Sequence, residues 1–228
     1  VRRGEILAFT GLAGCGASEL MQTMFGALPS EGGVMKVNGK PLSGSIVNFM
    51  KNGVVMLASN RKENSVVPDM TIMENFYLAE HELSKGKKPF INMKVEHERY
   101  AVQKEALHIK AGDSADSILS LSGGNQQKVF LGRCLNIGAD VLLFDNPTQG
   151  VDVGAKEEIY RLILGFAEAG KTVIINTLEI PEIQKVADRC VVFYEGEIIK
   201  IFEHSEVNEQ DVMLYSTNAI ETIEEAAK

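Results

Sequence analysis

Apolar positions come in two rhythms, short solid runs and helical spacing, and their order along the chain sets out the elements. Residues 6–10 form an apolar run ahead of a glycine-rich turn, which predicts a buried strand. Residues 18–28 follow, with Leu20, Met21, Met24, Phe25 and Leu28 spaced as one buried face of a helix. The 31–44 stretch carries Gly-Gly, Asn-Gly and Pro-Leu punctuation, predicting a small antiparallel β element with 34–37 as a strand. Residues 53–58 predict another buried strand. Thr71 caps a helix through 79, with Glu74 placed for a capping box. The 93–107 stretch has helical spacing, 116–121 is a lead-in, and 124–136 predicts a helix. Residues 141–144 and 172–176 predict buried strands. Between them 155–169 is amphipathic, with Ile159, Leu162, Ile163 and Phe166 on one face. Residues 189–194 and 197–201 flank Glu195-Gly196 as a hairpin, and 208–215 predicts a last helix.

Strands alternating with helices imply an α/β fold with a mostly parallel core sheet. The stretch at about 71–135 interrupts that rhythm and reads as a helical subdomain. Residues 1–220 are read as a single domain and 221–228 as a polar tail. A chain of 228 residues, 45% hydrophobic and 24% charged, suits that reading. No apolar run approaches the roughly 18 residues that span a bilayer. The opening VRRGEILAFTG reads as a turn entering a core strand, not a signal peptide, and suggests a piece cut from a longer chain.

The net charge of −8, from 23 basic and 31 acidic residues, argues against nucleic acid as a partner. The basic cluster Lys85, Lys87 and Lys88 reads as a solvated loop. Cys15, Cys134 and Cys190 are far apart and odd in number, and His81, His97, His108 and His204 are scattered. Neither set has metal-ligand spacing or a disulfide framework, which fits a reducing compartment.

Three stretches carry the chemistry. In GLAGCGAS, Gly11, Cys15 and the glycines Gly14 and Gly16 lie between a predicted strand and helix, where backbone N–H groups can curve around an anion. Ser18 supplies a hydroxyl suited to Mg²⁺, but Ala17 stands where a phosphate loop usually has lysine, and Glu19 follows. In VLLFDNPTQGVD, Asp145 ends an apolar strand and Asn146 comes next. An amide can hold a water but cannot take its proton, and the run's resemblance to the Walker B element of ABC-type ATPases, where Glu usually follows the Asp, makes Asn146 a degenerate general-base position. Thr148 to Asp152 completes that run. In LSGGNQQK, Ser122, Gly123 and Gly124 open a helix and form a second anion cradle. Taken singly, a glycine-rich turn or an Asp-Asn-Pro turn is more often structural than functional.

In this order, the three stretches resemble the Walker A, Walker B and signature elements of an ABC-type ATPase, a P-loop NTPase fold. LSGGNQQK, TQGVDVGAKEEIY and the Leu178–Glu182 run (LEIPE) resemble one branch, the ATP-binding subunits of bacterial monosaccharide importers of the ribose, galactose and xylose type. Those subunits fuse two ABC domains, and this chain is similar to the second, C-terminal one. The resemblance implies ATP and Mg²⁺ as cofactors, with Ser18 and Asp145 on the metal. It also implies a head-to-tail partner ABC domain, membrane permease subunits, an extracytoplasmic sugar-binding protein, and a place on the cytoplasmic face of the plasma membrane. In such a pair each nucleotide lies between one domain's phosphate loop and the other's signature. The family's switch histidine aligns with Leu178. Ser59-Asn60-Arg61-Lys62 resembles the branch's Glu-Asp-Arg-Lys run with both acids replaced. A non-transport ABC protein of regulation, DNA repair or translation is the alternative. Repair types need a long coiled coil, and this sequence shows none; the net charge disfavours the basic linker between domains that translation types carry.

Overall fold

The computed structural model describes residues 1–84 and 91–219. The Lys85, Lys87 and Lys88 cluster and the 221–228 tail lie outside the described residues. The first half contains β1 (Ile6–Gly11), α1 (Ala17–Met24), β2 (Lys36–Val37), β3 (Lys40–Pro41), α2 (Ile46–Lys51), β4 (Val54–Leu57) and α3 (Arg61–Asn64). Three longer helices follow, α4 (Ile72–Ser84), α5 (Met93–Ala106) and α6 (Gly123–Asn136). The remainder is β5 (Val141–Asp145), α7 (Val153–Glu168), β6 (Thr172–Asn176), α8 (Ile180–Val186), β7 (Arg189–Tyr194), β8 (Glu197–Glu203) and α9 (Glu209–Ser216).

The main sheet runs β4-β5-β6-β1-β7-β8. Its first five strands are parallel and β8 returns antiparallel to β7. The mostly parallel core and the small antiparallel pair, β2 with β3, are as the sequence predicts. All six residues of β1 are buried, because both faces of the sheet are covered. Side chains alternate between the faces. Ile6 and Ala8 join the core beneath α4, α6, α7 and α8, whereas Leu7 and Phe9 join Met21, Leu42 and Phe49 on the other side.

Local chemistry sets the ends of the helices. Thr71 and Glu74 form the predicted box, with the Thr71 N–H donating to Glu74 Oε2 at 2.8 Å and the Glu74 N–H to Thr71 Oγ1 at 3.2 Å. α4 runs on to Ser84, past the predicted 79, carrying Phe76 and Tyr77 into the core. α1 stops at Met24, short of the predicted 28, because Gly26 turns left-handed at φ 76° just after it. The predicted strand at 34–37 narrows to Lys36–Val37, facing Lys40–Pro41 across Asn38 and Gly39. Both of those residues have positive φ, as a tight hairpin turn requires. α2, α3 and α8 are not in the sequence-based reading. The first two, of six and four residues, are too short to show helical periodicity.

Two cations, Lys128 buried and Arg133 half-buried, tie the helices together. Lys128 on α6 donates to Glu158 on α7 and to the His108 carbonyl, the latter at 2.7 Å. Arg133 on α6 donates to the Asn75 and Ser65 carbonyls at 2.7 and 2.8 Å. Burial pushes its guanidinium down to about 10.

Candidate functional site

β1 delivers the chain to the glycine loop at the edge of the core. Gly11 has φ 155°, and a Cβ there would sit 2.4 Å from the Phe193 carbonyl oxygen. A side chain cannot be placed where the loop leaves the sheet. Gly14 and Gly16 have φ of 79° and 99°, and Gly16 caps α1 without a side-chain bond. The Cys15 N–H donates to the Leu12 carbonyl at 3.0 Å, and the Gly196 N–H donates to the Cys15 carbonyl at 2.9 Å. The loop is thus closed on itself and fastened to the β7–β8 turn. Ala17 begins α1 with its methyl buried against the Leu7, Phe9 and Met21 core. Glu19 sits in the first turn of that helix.

The structure brings Ser18 and Asp145 together. The Ser18 hydroxyl donates to Asp145 Oδ2 at 2.6 Å. Asn176 Nδ2 donates to the other carboxylate oxygen at 2.7 Å, and Asn146 Nδ2 to that same oxygen at 3.2 Å. Asp145 is 1% exposed and held by donors on α1, on β6 and in the turn just after β5. A hydroxyl and a carboxylate side by side at the foot of a glycine loop suit Mg²⁺, which takes one or two protein oxygens and completes its shell with phosphate and water. The glycine loop suits phosphate through its backbone, but Ala17 brings it no charge.

Ser122, Gly123 and Gly124 stand at the start of α6, with Ser122 as its N-cap. Asn125 Nδ2 donates to Ser122 Oγ at 2.9 Å. Gly124 packs on α7, where a Cβ would come 2.4 Å from that of Ala155. Among the described residues no hydrogen bond joins this turn to the glycine loop. Its neighbours are Arg61, Gly150 and Ala155. Arg61 donates to the Gln149 and Gly150 carbonyls at 2.7 and 3.1 Å, and its Nε to Gln126 Oε1 at 3.4 Å. Arg61 therefore joins the 59–62 segment to the 148–152 turn and to the signature helix. Asp152 caps α7, its Oδ1 accepting from the Ala155 N–H at 3.0 Å.

Sequence reasoning passed over two features. Asn176 is the last residue of β6, and its parallel pairing with Asp145 across the sheet sets its amide beside the carboxylate. Glu182 on α8 is 4% exposed and accepts from Thr148, Thr177, Tyr160 and Lys156. Burial raises its pKa, and the four donors together outweigh burial, leaving the carboxyl below its ordinary range. A lone glutamate after proline gave no signal of this. Leu178, which the sequence reading sets at the switch position, is exposed.

Comparison with known proteins places this geometry. Residues 1–149 match the family model described as ABC transporter. The chain belongs to the ABC transporter family. This ABC chain is 38% identical to the ribose import ATP-binding protein RbsA of Hahella chejuensis, over 96% of its own length and 44% of that protein. It is 37% identical to the D-allose import ATP-binding protein AlsA of Escherichia coli, over 95% of its length and 43% of that protein. It is 36% identical to the arabinose import ATP-binding protein AraG of Vibrio parahaemolyticus, over 93% of its length and 42% of that protein. The chain thus spans less than half the length of these curated relatives. In fold it is similar to the cassette MJ0796 in a dimeric post-hydrolysis state bound to ADP and Pi, with a TM-score of 0.75 at 20% identity, covering 90% of this chain and 87% of that one. A nucleotide-free ATP-binding cassette superposes with a TM-score of 0.76 at 21% identity, covering 93% and 84%. Among the described residues no helix is long and apolar enough to cross a membrane.

Proposed function

We propose that this ABC domain works as the C-terminal half of a sugar importer's ATP-binding subunit, paired head to tail with a second ABC domain. Its Ser122-Gly123-Gly124 turn completes the partner's ATP site. Its own site, built on Gly11, Gly14, Cys15, Gly16, Ser18 and Asp145, binds nucleotide weakly and turns over little or none. The similarity to ribose, allose and arabinose import proteins supports the sugar-import reading. The pair drives membrane permease subunits from the cytoplasmic face of the plasma membrane, and a sugar-binding protein outside supplies the solute. In this reading residues 71–135 form the helical subdomain.

One observation carries the asymmetry. The position after Asp145 holds an amide, and its Nδ2 donates to Asp145 Oδ1 at 3.2 Å. Asn146 is thus turned onto its neighbour, with no group able to accept a proton from water. The glycine loop, Ser18 and Asp145 would hold ATP with Mg²⁺, the metal supplying positive charge beside the phosphates. The chain's residues would orient that nucleotide through backbone N–H groups and the α1 dipole, without the lysine that normally neutralises it. The signature turn works differently, because its N–H groups would meet charge that develops on the partner's nucleotide, where preorganised donors count most. The test is ATP turnover by this chain alone. Turnover close to background supports the reading, and robust Mg²⁺-dependent turnover abolished by Asp145→Ala would refute it.

A further inference from the structure

Glu182 gathers donors from three separate stretches of chain. Its Oε1 accepts from Thr148 Oγ1 at 2.5 Å, Tyr160 OH at 2.6 Å and Lys156 Nζ at 3.2 Å, and its Oε2 accepts from Thr177 Oγ1 at 2.6 Å. Thr148 opens the turn after β5, and Thr177 opens the turn after β6. Tyr160 and Lys156 lie on α7, which the first turn leads into. Thr148, Thr177 and Tyr160 are themselves buried. Lys156 also donates to Glu179 Oε1 and Oε2 at 2.5 and 2.7 Å, closing the outer side of the cluster.

A carboxylate is a costly way to fill space, since burying it forfeits hydration that packing alone does not return. An apolar side chain of similar volume would serve packing at least as well. What a carboxylate adds is direction: two oxygens that hold several hydroxyls in one register. The two turns it joins face opposite tasks. The 177–179 turn follows the strand whose end, Asn176, holds Asp145 of this domain's own site. The 148–152 turn leads away from that site to Gly150, whose carbonyl is bound by Arg61 beside the signature residue Gly123. Leu178 within the 177–179 turn and Val153, the first residue of α7 after the 148–152 turn, are exposed at 55% and 78%.

We propose that Glu182 is a positioning residue that locks the 148–152 turn to the 177–179 turn, so that the domain's own nucleotide site and the surface offered to the partner shift as one unit. The proposal rests on the head-to-tail pairing argued above. In that pair Glu182 touches no nucleotide. It sets the turnover of the partner's site through the placement of the 148–152 turn, leaving ATP affinity there largely unchanged.

The experiment uses Thr148→Val and Thr177→Val, singly and together, with Glu182→Gln as an independent variant. In the complete importer each substitution should lower kcat of solute-stimulated ATPase by roughly tenfold, with KM for ATP within about twofold. The double variant should be no worse than the poorer single, because both break one link. In this chain alone, Thr177→Val should speed hydrogen exchange at the Gln149 and Val151 amides, which close the other turn onto Asn146 and Thr148. Additive losses, a rise in KM at constant kcat, or unchanged exchange at those two amides would overturn the proposal. Gly123→Asp in the same importer separates the two readings. If it abolishes turnover while the threonine variants are additive, the positioning role alone fails. If it leaves turnover intact, the pairing fails and the exchange result decides the coupling.

Discussion

The Ser18 hydroxyl donates to Asp145 Oδ2 at 2.6 Å, joining the glycine loop to the end of β5 through one hydrogen bond. Those oxygens are the pair that would hold Mg²⁺ beside phosphate, and the metal would displace the bond between them. Nucleotide binding by this chain should therefore depend on Mg²⁺, and Asp145→Asn should remove most of that dependence. Calorimetry with and without Mg²⁺ checks this. Equal affinities in the two conditions for the unmodified chain would contradict the assignment.

Ala17→Lys should act in two directions. The methyl of Ala17 is packed against Met21 and Phe9, so a longer side chain must leave that core, lowering apo stability by about 1–3 kcal/mol. The added charge at the loop should nonetheless tighten ATP binding. In thermal melts the variant should start lower and gain more from saturating nucleotide than the parent. A variant that loses stability and gains nothing from nucleotide would show that the loop does not take up phosphate.

Lys128 and Glu158 should respond unequally to removal. Lys128's side chain is 2% exposed and Glu158's is 29% exposed. Glu158→Gln removes the negative charge and leaves the buried ammonium with neutral acceptors alone, and should cost about 3 kcal/mol. Lys128→Met takes the buried charge away and leaves a carboxylate that can turn to solvent, so it should cost about 1 kcal/mol or less. Urea titrations of the two variants test this order, and a larger loss for Lys128→Met would reverse it.

Stability should fall in acid, and Glu182 should account for part of the fall. Burial raises the Glu182 pKa, but its four donors bring it below the ordinary 4.5, and Lys128 does the same for Glu158. A native pKa below the unfolded one means that the folded state binds fewer protons. The contribution is complete above the unfolded value and is lost as pH falls through the native one. The urea midpoint should be nearly flat from about pH 7 to pH 5.5 and drop below pH 4.5. Glu182→Gln should start lower and drop less steeply. Parallel curves for parent and variant would remove Glu182 from the account.

Cys15 should be the thiol that alkylates. Burial pushes both Cys134 and Cys190 up to about 12, in Cys134 against the opposing pull of Arg133. Cys15 is partly exposed in the glycine loop. Limited alkylation followed by mass mapping should find label on Cys15 first, and ATP should slow it. Equal labelling of all three thiols would argue against this loop geometry.

The sequence carried most of the fold, because buried parallel strands leave solid apolar runs that periodicity detects. β1, β5 and β6 lie where those runs predict, to within a residue at either end. The short helices α2 and α3 were invisible for want of length. The site divides along the same line. Ser18, Asp145 and the Ser122-Gly123-Gly124 turn could be read because each sits at a fixed place in a local motif. Arg61 could be picked out in the 59–62 run but not its hold on the 148–152 turn, and Asn176 and Glu182 gave no sign, because the partners of the three lie 88, 31 and 34 residues away and only the fold brings them together. A glutamate that follows a proline looks like an ordinary helix start until Thr148 and Thr177 close on it from either side.

The central claim is that this domain acts chiefly on its partner's nucleotide, and solute-stimulated ATPase of the complete importer tests it most directly. Gly123→Asp would place a carboxylate where the partner's phosphate must dock. A Cβ there would come 2.2 Å from Arg61 Nη2 and 3.3 Å from the Gly150 carbonyl oxygen, so the Arg61 side chain must shift from its bond to that carbonyl to admit it. Loss of one preorganised donor can cost roughly 10²–10³ in rate, and an added negative charge should cost more. The account predicts that Gly123→Asp nearly abolishes the activity, while Ala17→Gly and Asn146→Ala change it by less than about threefold. Full activity in Gly123→Asp, or a larger loss from the Ala17 and Asn146 substitutions, would contradict it.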